Sequence, residues 1–162
     1  MNGLEKFHIG RSINFERTLQ KQIRDRYRKN PAGQAEFVQL IEKLIYALSE
    51  KPCPSPPLGH LEPWPKGTKC AGWELWKLEF KMPQISRGAA GQGRLIYLIN
   101  SAIKEVVLVW IYTHAEFKKR PPDNNLRSVI LAIIESSEIM SKKNNSANER
   151  NADREEKEVG EK

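Results

Sequence analysis

The spacing of apolar side chains predicts that helices come first in this chain and that strands follow. Apolar residues recur at every fourth position over 14–29, and a wider stripe with the 3.6-residue period runs through 32–50. Both segments are predicted to be helices, with Asn14 as the N-cap of the first. Only a short break around residues 30–34 separates them, so we expect an antiparallel helical hairpin. The mixed segment 5–13 is interpreted as an edge strand.

Three strands are predicted after a long irregular loop. Residues 51–72 hold six of the ten prolines and three glycines, which excludes a regular element. Side chains over 73–82 alternate between two faces, one apolar and one polar, and the polar face carries Lys77, Glu79 and Lys81. Residues 94–100 and 104–112 are apolar on both faces, as in central strands. The tight turn between them predicts an antiparallel hairpin.

Alternation along the last strand separates a ring-bearing face from a β-branched face. Trp110, Tyr112 and His114 fall on one face. The other face is expected to pack against helices and carries Val107, Val109, Ile111 and Thr113. The rings are therefore expected to point outward, beside the polar row of the preceding strand.

A last helix is predicted over about 124–141, with Asp123 as its candidate N-cap. Residues 141–162 lack hydrophobic periodicity and are predicted to be a disordered charged tail, which leaves residues 1–140 as the folded domain. The predicted fold class is α+β. It has two layers, in which the helical hairpin and the last helix cover one face of an antiparallel sheet and leave the other face open.

Charge and hydropathy indicate which classes of partner this domain can have. The formal net charge is +7, and all of the excess lies in residues 1–140, because residues 141–162 contain six basic and six acidic side chains. A polyanion or an acidic protein is the natural counterpart. No apolar run approaches the roughly 20 residues of a membrane helix, and we expect a cytoplasmic protein with no membrane partner. The two cysteines and three histidines lack metal-site spacing, so we expect neither a metal nor a cofactor.

The open face of the predicted sheet would hold the side-chain types that RNA cleavage needs. Attack of a 2′-hydroxyl on the adjacent phosphate requires a base, cations for the developing charge, and an acid for the departing 5′-oxygen. Aromatic rings can stack on unpaired bases. Lysine, arginine, histidine and aromatic side chains would all lie on this face.

The order of elements and three sequence runs point to a known family. GWELWKLEF, GRLIYLI and KEVVLVWIYTHAEF, in this order, resemble the RelE/ParE superfamily of toxins of type II toxin–antitoxin systems. The resemblance covers about residues 5–135 and implies a RelE-like fold. For RNA-cleaving members it implies a metal-independent endoribonuclease that cleaves mRNA, in many relatives on the ribosome, and so inhibits translation. It also implies a cognate acidic antitoxin as partner.

The resemblance assigns roles by position in the matching runs. Its implied catalytic residues are Arg94 near the scissile phosphate, Lys77 and Lys81 as phosphate-stabilising cations, and His114 as an acid or base. It further implies a stacking or catalytic ring at Phe117 or Tyr112. Our predicted substrate-binding residues are Glu79, Tyr112, Phe117, Lys118 and Lys119. Ala115 departs from the family pattern, which commonly has an aromatic residue directly after the histidine.

Each candidate residue also has a purely structural interpretation. His114 can be a neutral strand-end histidine bonded to backbone, and Arg94 or Glu79 can serve only in ion pairs. Trp110 and Tyr112 can belong to the core or to an antitoxin interface, and the basic first helix can be a solvated face instead of an RNA contact. The alternative function is a non-nuclease member of the same fold, either a ParE-like gyrase inhibitor or an inactive antitoxin-binding protein.

Overall fold

The computed structural model describes residues 6–53, 59–86 and 88–137, together with residues 146 and 150. The chain divides into two compact units, Met1–Val129 and Ile130–Lys162. The first unit contains the sheet, and the second is helical at 130–137. The predicted tail at 141–162 lies outside the described residues except at those two positions.

The element order confirms the predicted α+β class. Between residues 6 and 137, as far as the structure describes them, three helices and five strands follow one another, with one turn of 3-10 helix at Ala89–Gly91. They are β1 (His8–Arg11), α1 (Ile13–Tyr27), α2 (Pro31–Glu50), β2 (His60–Leu61), β3 (Glu74–Lys81), β4 (Gln92–Asn100), β5 (Glu105–Thr113) and α3 (123–137).

The five strands form one sheet in the order β1-β5-β4-β3-β2. Strands β2 to β5 are antiparallel to their neighbours, whereas β1 pairs in parallel with β5, so the sheet is mixed and the predicted purely antiparallel sheet is wrong. The long chain between β1 and β5 provides the crossover that parallel pairing requires. Strand β1 is an edge strand as predicted. Strand β2, inside the proline-rich loop, is the other edge and was not predicted.

Helices α1 and α2 pack on one face of the sheet around a single apolar core. Tyr27 of α1 stacks on Phe37 of α2, with ring centroids 5.2 Å apart. The predicted apolar face of β3 lies in this core. The buried residues of the core include Phe15, Leu19, Ile41, Leu48, Trp76, Leu78, Met82, Leu95, Tyr97, Ile99, Val106, Leu108 and Ile111.

The opposite face of the sheet is also buried over part of its length, which corrects the prediction of an open second face. Leu75, Leu98 and Val107 oppose one another across β3, β4 and β5 on that face, and Ile96 lies in the next row. All four side chains are buried. Exposed polar side chains occupy this face toward the end of β3 and at the start of β4.

A β-bulge interrupts the alternation of β5. The pairing with β4 skips Val109, which has no cross-strand partner. Before the bulge the faces are therefore shifted by one residue: Leu108 lies in the core with Ile111, and Val107 lies on the opposite face. The predicted helix-side position of Val107 is wrong for this reason. Alternation predicts which face of the sheet a side chain occupies only up to the next β-bulge, where the inserted residue shifts the faces by one position.

The start of α1 differs from the prediction because a tertiary contact competes with the cap. Ser12 is the N-cap, and its hydroxyl accepts a hydrogen bond from the Phe15 N–H at 3.0 Å. Asn14, the predicted cap, instead donates its side-chain amide to the Val109 carbonyl at 3.0 Å. Both residue types make good caps, and the bulge carbonyl decides between them.

Polar side chains of α1 bind backbone groups of β5 at the bulge and just after it. Asn14 binds the Val109 carbonyl, and one turn later the Thr18 hydroxyl accepts the Ile111 N–H at 3.1 Å. Asn14 and Thr18 are both buried. Because a buried backbone group without a partner is costly, these bonds fix α1 against β5.

Replacing Asn14 tests this anchoring. Asn14→Ala leaves the buried Val109 carbonyl without its main partner and is expected to lower the free energy of unfolding by about 1–3 kcal/mol. Ile13→Ala, at the neighbouring and 90% exposed position, is the control and should change it by less than about 0.5 kcal/mol. Urea unfolding measures both values, and equal losses would contradict the anchoring.

Candidate functional site

Three rows of side chains cross β3, β4 and β5 on the face opposite α1. Residues directly opposed in antiparallel strands share a face, with Cβ atoms roughly 5 Å apart. The rows are Lys77 with Ile96 and Trp110, then Glu79 with Arg94 and Tyr112, then Lys81 with Gln92. The Gln92 carbonyl accepts a hydrogen bond from the His114 N–H at 2.9 Å, so His114 extends the third row.

Arg94 lies in the middle row, where neighbouring oxygens orient its guanidinium. Its Nε is 3.3 Å from a carboxylate oxygen of Glu79, and its Nη2 is 3.4 Å from the side-chain oxygen of Gln92. The side chain of Arg94 is 13% exposed, whereas that of Glu79 is 56% exposed. Arg94 is therefore held in one direction by a carboxylate that remains mostly in water.

Glu62, just after β2, forms ion pairs with the cations at the other end of this face. Its carboxylate oxygens lie 3.0 Å from Lys77 Nζ, 3.3 Å from Arg120 Nη1 and 3.2 Å from His60 Nε2. Glu62 is 9% exposed and Lys77 is 12% exposed, so water screens this pair only weakly. Sequence reasoning missed Glu62, because no local spacing links the proline-rich loop to β3.

The segment 114–122 folds back over the ring side chains of β5. Thr113 and Glu116 have the spacing of a capping box, and the Glu116 carboxylate accepts the Thr113 N–H at 3.3 Å. The ring of Phe117 then packs edge-on against Trp110 and Tyr112, with centroid distances of 6.1 and 5.7 Å. This turn ends β5 and covers the rings that were expected to point into solvent.

Tyr112 is completely buried beneath this segment. Its hydroxyl donates to the Lys119 carbonyl at 2.8 Å, and Lys77 Nζ reaches the same carbonyl at 3.4 Å. Burial raises the pKa of Tyr112 far above its ordinary value, and the Glu62 carboxylate adds to the rise. Tyr112 is thus a neutral phenol at physiological pH. The substrate-binding roles of Tyr112 and Phe117 stay predictions.

The far end of the segment 114–122 is tied to the loop after β2. Asp123 was predicted to be the N-cap of α3 but is its first helical residue, and its carboxylate accepts hydrogen bonds from the Lys66 N–H at 3.2 Å and from Arg120 at 3.1 Å. These two bonds, led by that from Lys66, hold the pKa of Asp123 below its ordinary value. The Leu126 N–H of the first helical turn bonds to the Pro122 carbonyl at 3.0 Å. The carboxylate therefore fixes the segment to the loop.

A cavity of about 630 Å³ is lined by this segment, by the loop after β2 and by the sheet face. Five basic and three acidic side chains contribute to its lining: Lys77, Arg94, Lys118, Lys119 and Arg120, with Glu62, Glu79 and Asp123. Lys118 and Lys119 are exposed and form no ion pair within the described ranges. An excess of positive charge in a concave site attracts anions.

His114 and Lys81 occupy the third row, next to Arg94. Lys81 is exposed and makes no ion pair with any residue that the structure describes. The side chain of His114 is partly buried, and its Nδ1 is buried without a hydrogen-bond partner among the same residues.

The geometry separates the predicted catalytic residues into two groups. Lys77 and Lys81 are four residues apart on β3, or about 13 Å along the strand. Lys81, Arg94 and His114 lie in adjacent rows, whereas the ammonium of Lys77 is bound to Glu62. The catalytic roles of all four residues stay predictions.

Comparisons with known proteins do not assign the chain to a family. No protein-family model, no curated protein and no solved structure matches it. Within the residues that the structure describes, no three His, Cys, Asp or Glu side chains form a group that could hold a metal ion. In the same part of the chain, no helix is long and apolar enough to cross a membrane.

The two carboxylates of this face provide a matched test of the ion-pair geometry. Glu62→Gln removes the carboxylate partner of Lys77 and leaves Arg120 paired with Asp123 alone, and it is expected to lower the free energy of unfolding by about 1–3 kcal/mol. Glu79→Gln removes a mostly exposed partner and should cost less than about 1 kcal/mol. Urea unfolding gives both numbers, and a larger loss for Glu79→Gln would refute the anchoring role of Glu62.

Proposed function

We propose that this chain is a RelE-type toxin of a toxin–antitoxin module, a metal-independent endoribonuclease that cleaves mRNA. The observation that carries the proposal is the strand register, which aligns Lys81, Arg94 and the backbone of His114 in adjacent rows. A cavity to which five basic and three acidic side chains contribute, Arg94 among them, adjoins these rows. The order of a strand, two helices, the remaining strands and a last helix is a second support, because the RelE resemblance implies this order.

In the proposed reaction, the RNA supplies its own nucleophile. A bond forms between the 2′-oxygen and the phosphorus, and the bond from phosphorus to the 5′-oxygen breaks. The products are a 2′,3′-cyclic phosphate and a 5′-hydroxyl. The 2′-hydroxyl loses a proton, and the departing 5′-oxygen gains one. The protein therefore needs to stabilise charge and move protons, and it forms no covalent bond with the RNA.

We assign charge stabilisation and proton transfer to three residues, Arg94, His114 and Lys81. The Arg94 guanidinium stabilises the negative charge that builds up on the phosphoryl oxygens, and the unpaired Lys81 supplies a second cation. His114 transfers a proton, either from the 2′-hydroxyl as base or to the 5′-oxygen as acid. Glu79 orients Arg94 through their ion pair. Lys77 supports the site from its ion pair with Glu62.

RNA binding would use the cavity beside the segment 114–122. Lys118 and Lys119 are free to meet backbone phosphates, and the partly exposed Phe117 is the ring best placed to meet a base. We further propose that cleavage takes place on ribosome-bound mRNA in the cytoplasm. A cognate acidic antitoxin would inhibit the toxin by covering this cationic face.

Induction of the full chain in bacterial cells tests the function. We expect growth arrest and new mRNA ends, mapped by primer extension. The double variant Arg94→Ala/His114→Ala should abolish both, and each single change should lower cleavage by roughly 100-fold or more. His8→Ala and Arg28→Ala change exposed residues outside the site and should arrest growth as the unaltered chain does.

Other outcomes would identify the alternatives. Full arrest by the double variant would show that the site is wrong. DNA double-strand breaks without new RNA ends would favour a ParE-like gyrase inhibitor. Absence of arrest by the unaltered chain, combined with binding to an acidic antitoxin encoded beside it, would favour an inactive antitoxin-binding protein.

A further inference from the structure

Two buried side-chain nitrogens near the end of β5 have no hydrogen-bond partner in the part of the chain that the structure describes. They are Nε of Arg26 and Nδ1 of His114. Leaving a buried donor unsatisfied is unfavourable, so most buried polar atoms in native proteins have a partner. A ligand that supplies acceptor oxygens at this place would satisfy Nε of Arg26, and His114 as well when Nδ1 carries the proton.

Arg26 reaches the end of β5 as the last member of a polar stripe on α1. The stripe recurs every four residues and faces β5 and the turn after it through hydrogen bonds; its members are Asn14, Thr18, Gln22 and Arg26. Nη2 of Arg26 donates to the Thr113 hydroxyl at 3.4 Å, and Thr113 directly precedes His114.

The same end of the sheet also holds Lys81. Tyr27, next to Arg26, donates its hydroxyl to the Pro83 carbonyl at 2.9 Å, in the loop that begins after Lys81. Lys81 in turn is paired with Gln92, whose carbonyl bonds to the backbone of His114. Arg26 therefore lies at the same end of the sheet as Lys81 and the backbone of His114.

The charge of Arg26 is not neutralised by a carboxylate among the described residues. The nearby acid is Glu116, and its oxygens are already occupied by Lys21 at 3.0 Å, by the Gln22 amide and by the Thr113 N–H. No ion pair of Arg26 is formed within the same ranges. A cation that is partly buried and uncompensated is suited to an incoming anion.

We propose that Arg26 and His114 together bind one phosphate group of the RNA backbone at the end of β5. The identity of this anion rests on the proposed function. Because Nη2 of Arg26 is bound to Thr113, its Nε and Nη1 would donate to two phosphate oxygens. Arginine can form such a pair of parallel hydrogen bonds, whereas lysine cannot. Nδ1–H of His114 donates to the same phosphate and leaves Nε2 free for proton transfer.

Binding of a non-cleavable RNA tests this site without relying on catalysis. The probe is a single-stranded RNA with 2′-O-methyl groups throughout, which cannot supply the attacking hydroxyl. Arg26→Gln is expected to weaken binding roughly tenfold and to lower the slope of log affinity against log salt by about 0.7. Arg26→Lys should restore the slope but not the affinity. Arg24→Gln, on the same helix with a side chain that is 68% exposed, should bind as the unaltered protein does.

Coupling to His114 is the second measurement. If both side chains hold one phosphate, Arg26→Gln/His114→Ala should weaken binding less than the product of the two single effects. A simple product would place them at separate sites and overturn the proposal. Equal binding of the probe by the Arg26→Gln and Arg24→Gln variants would also overturn the proposal. So would an Arg26→Gln variant that unfolds at a lower temperature but binds the probe normally.

The outcomes separate this site from the ribonuclease proposal. An unaltered protein that binds the probe through Arg26 but cleaves no RNA would support the phosphate site and contradict the proposed activity. One that cleaves RNA with no effect of Arg26→Gln on KM, kcat or binding would support the activity and refute the phosphate site. Failure of the unaltered protein to bind the probe refutes the phosphate site.

Discussion

The antiparallel register of β3, β4 and β5 is the constraint on which the proposed site depends. One face of these strands is packed against α1 and α2, so a slip of one residue would expose the core and bury the charged positions. The pairing that buries Leu78 against Leu95 also places Glu79 opposite Arg94 on the other face. The positions of Glu79 and Arg94 along their strands are therefore a consequence of the core.

The elements with two chemically different faces were predictable from the sequence. The alternation of β3 and the helical stripes of α1 and α2 reflect which side of each element meets the core. Prediction failed where a distant partner decides the local structure. Ser12 and Asn14 both make acceptable caps, and the buried carbonyl of Val109 selects between them. The same bulge reverses the face of Val107, which no count along the strand can reveal.

Within the site, the sequence pattern predicted the cations of the strands and missed the residues that reach them from elsewhere. Glu62 lies in a loop whose composition indicates only irregular structure, yet it binds Lys77 and Arg120. Arg26 is one of several basic residues on α1. Arg26 lies four residues after Gln22, which is a buried polar residue on a helix whose other polar residues are mostly basic. This spacing is the sequence signal that distinguishes Arg26 from the other basic residues of α1.

Lys81, Arg94 and His114 are proposed to promote attack by the 2′-hydroxyl of the RNA itself. The most direct measurement is mass spectrometry of the fragments released from a synthetic mRNA by the purified protein, with and without ribosomes. We predict 2′,3′-cyclic phosphate and 5′-hydroxyl ends, and no cleavage when a single 2′-deoxynucleotide replaces the nucleotide on the 5′ side of the cut. Fragments with 5′-phosphate ends, or undiminished cleavage of the deoxy-substituted RNA, would contradict this mechanism.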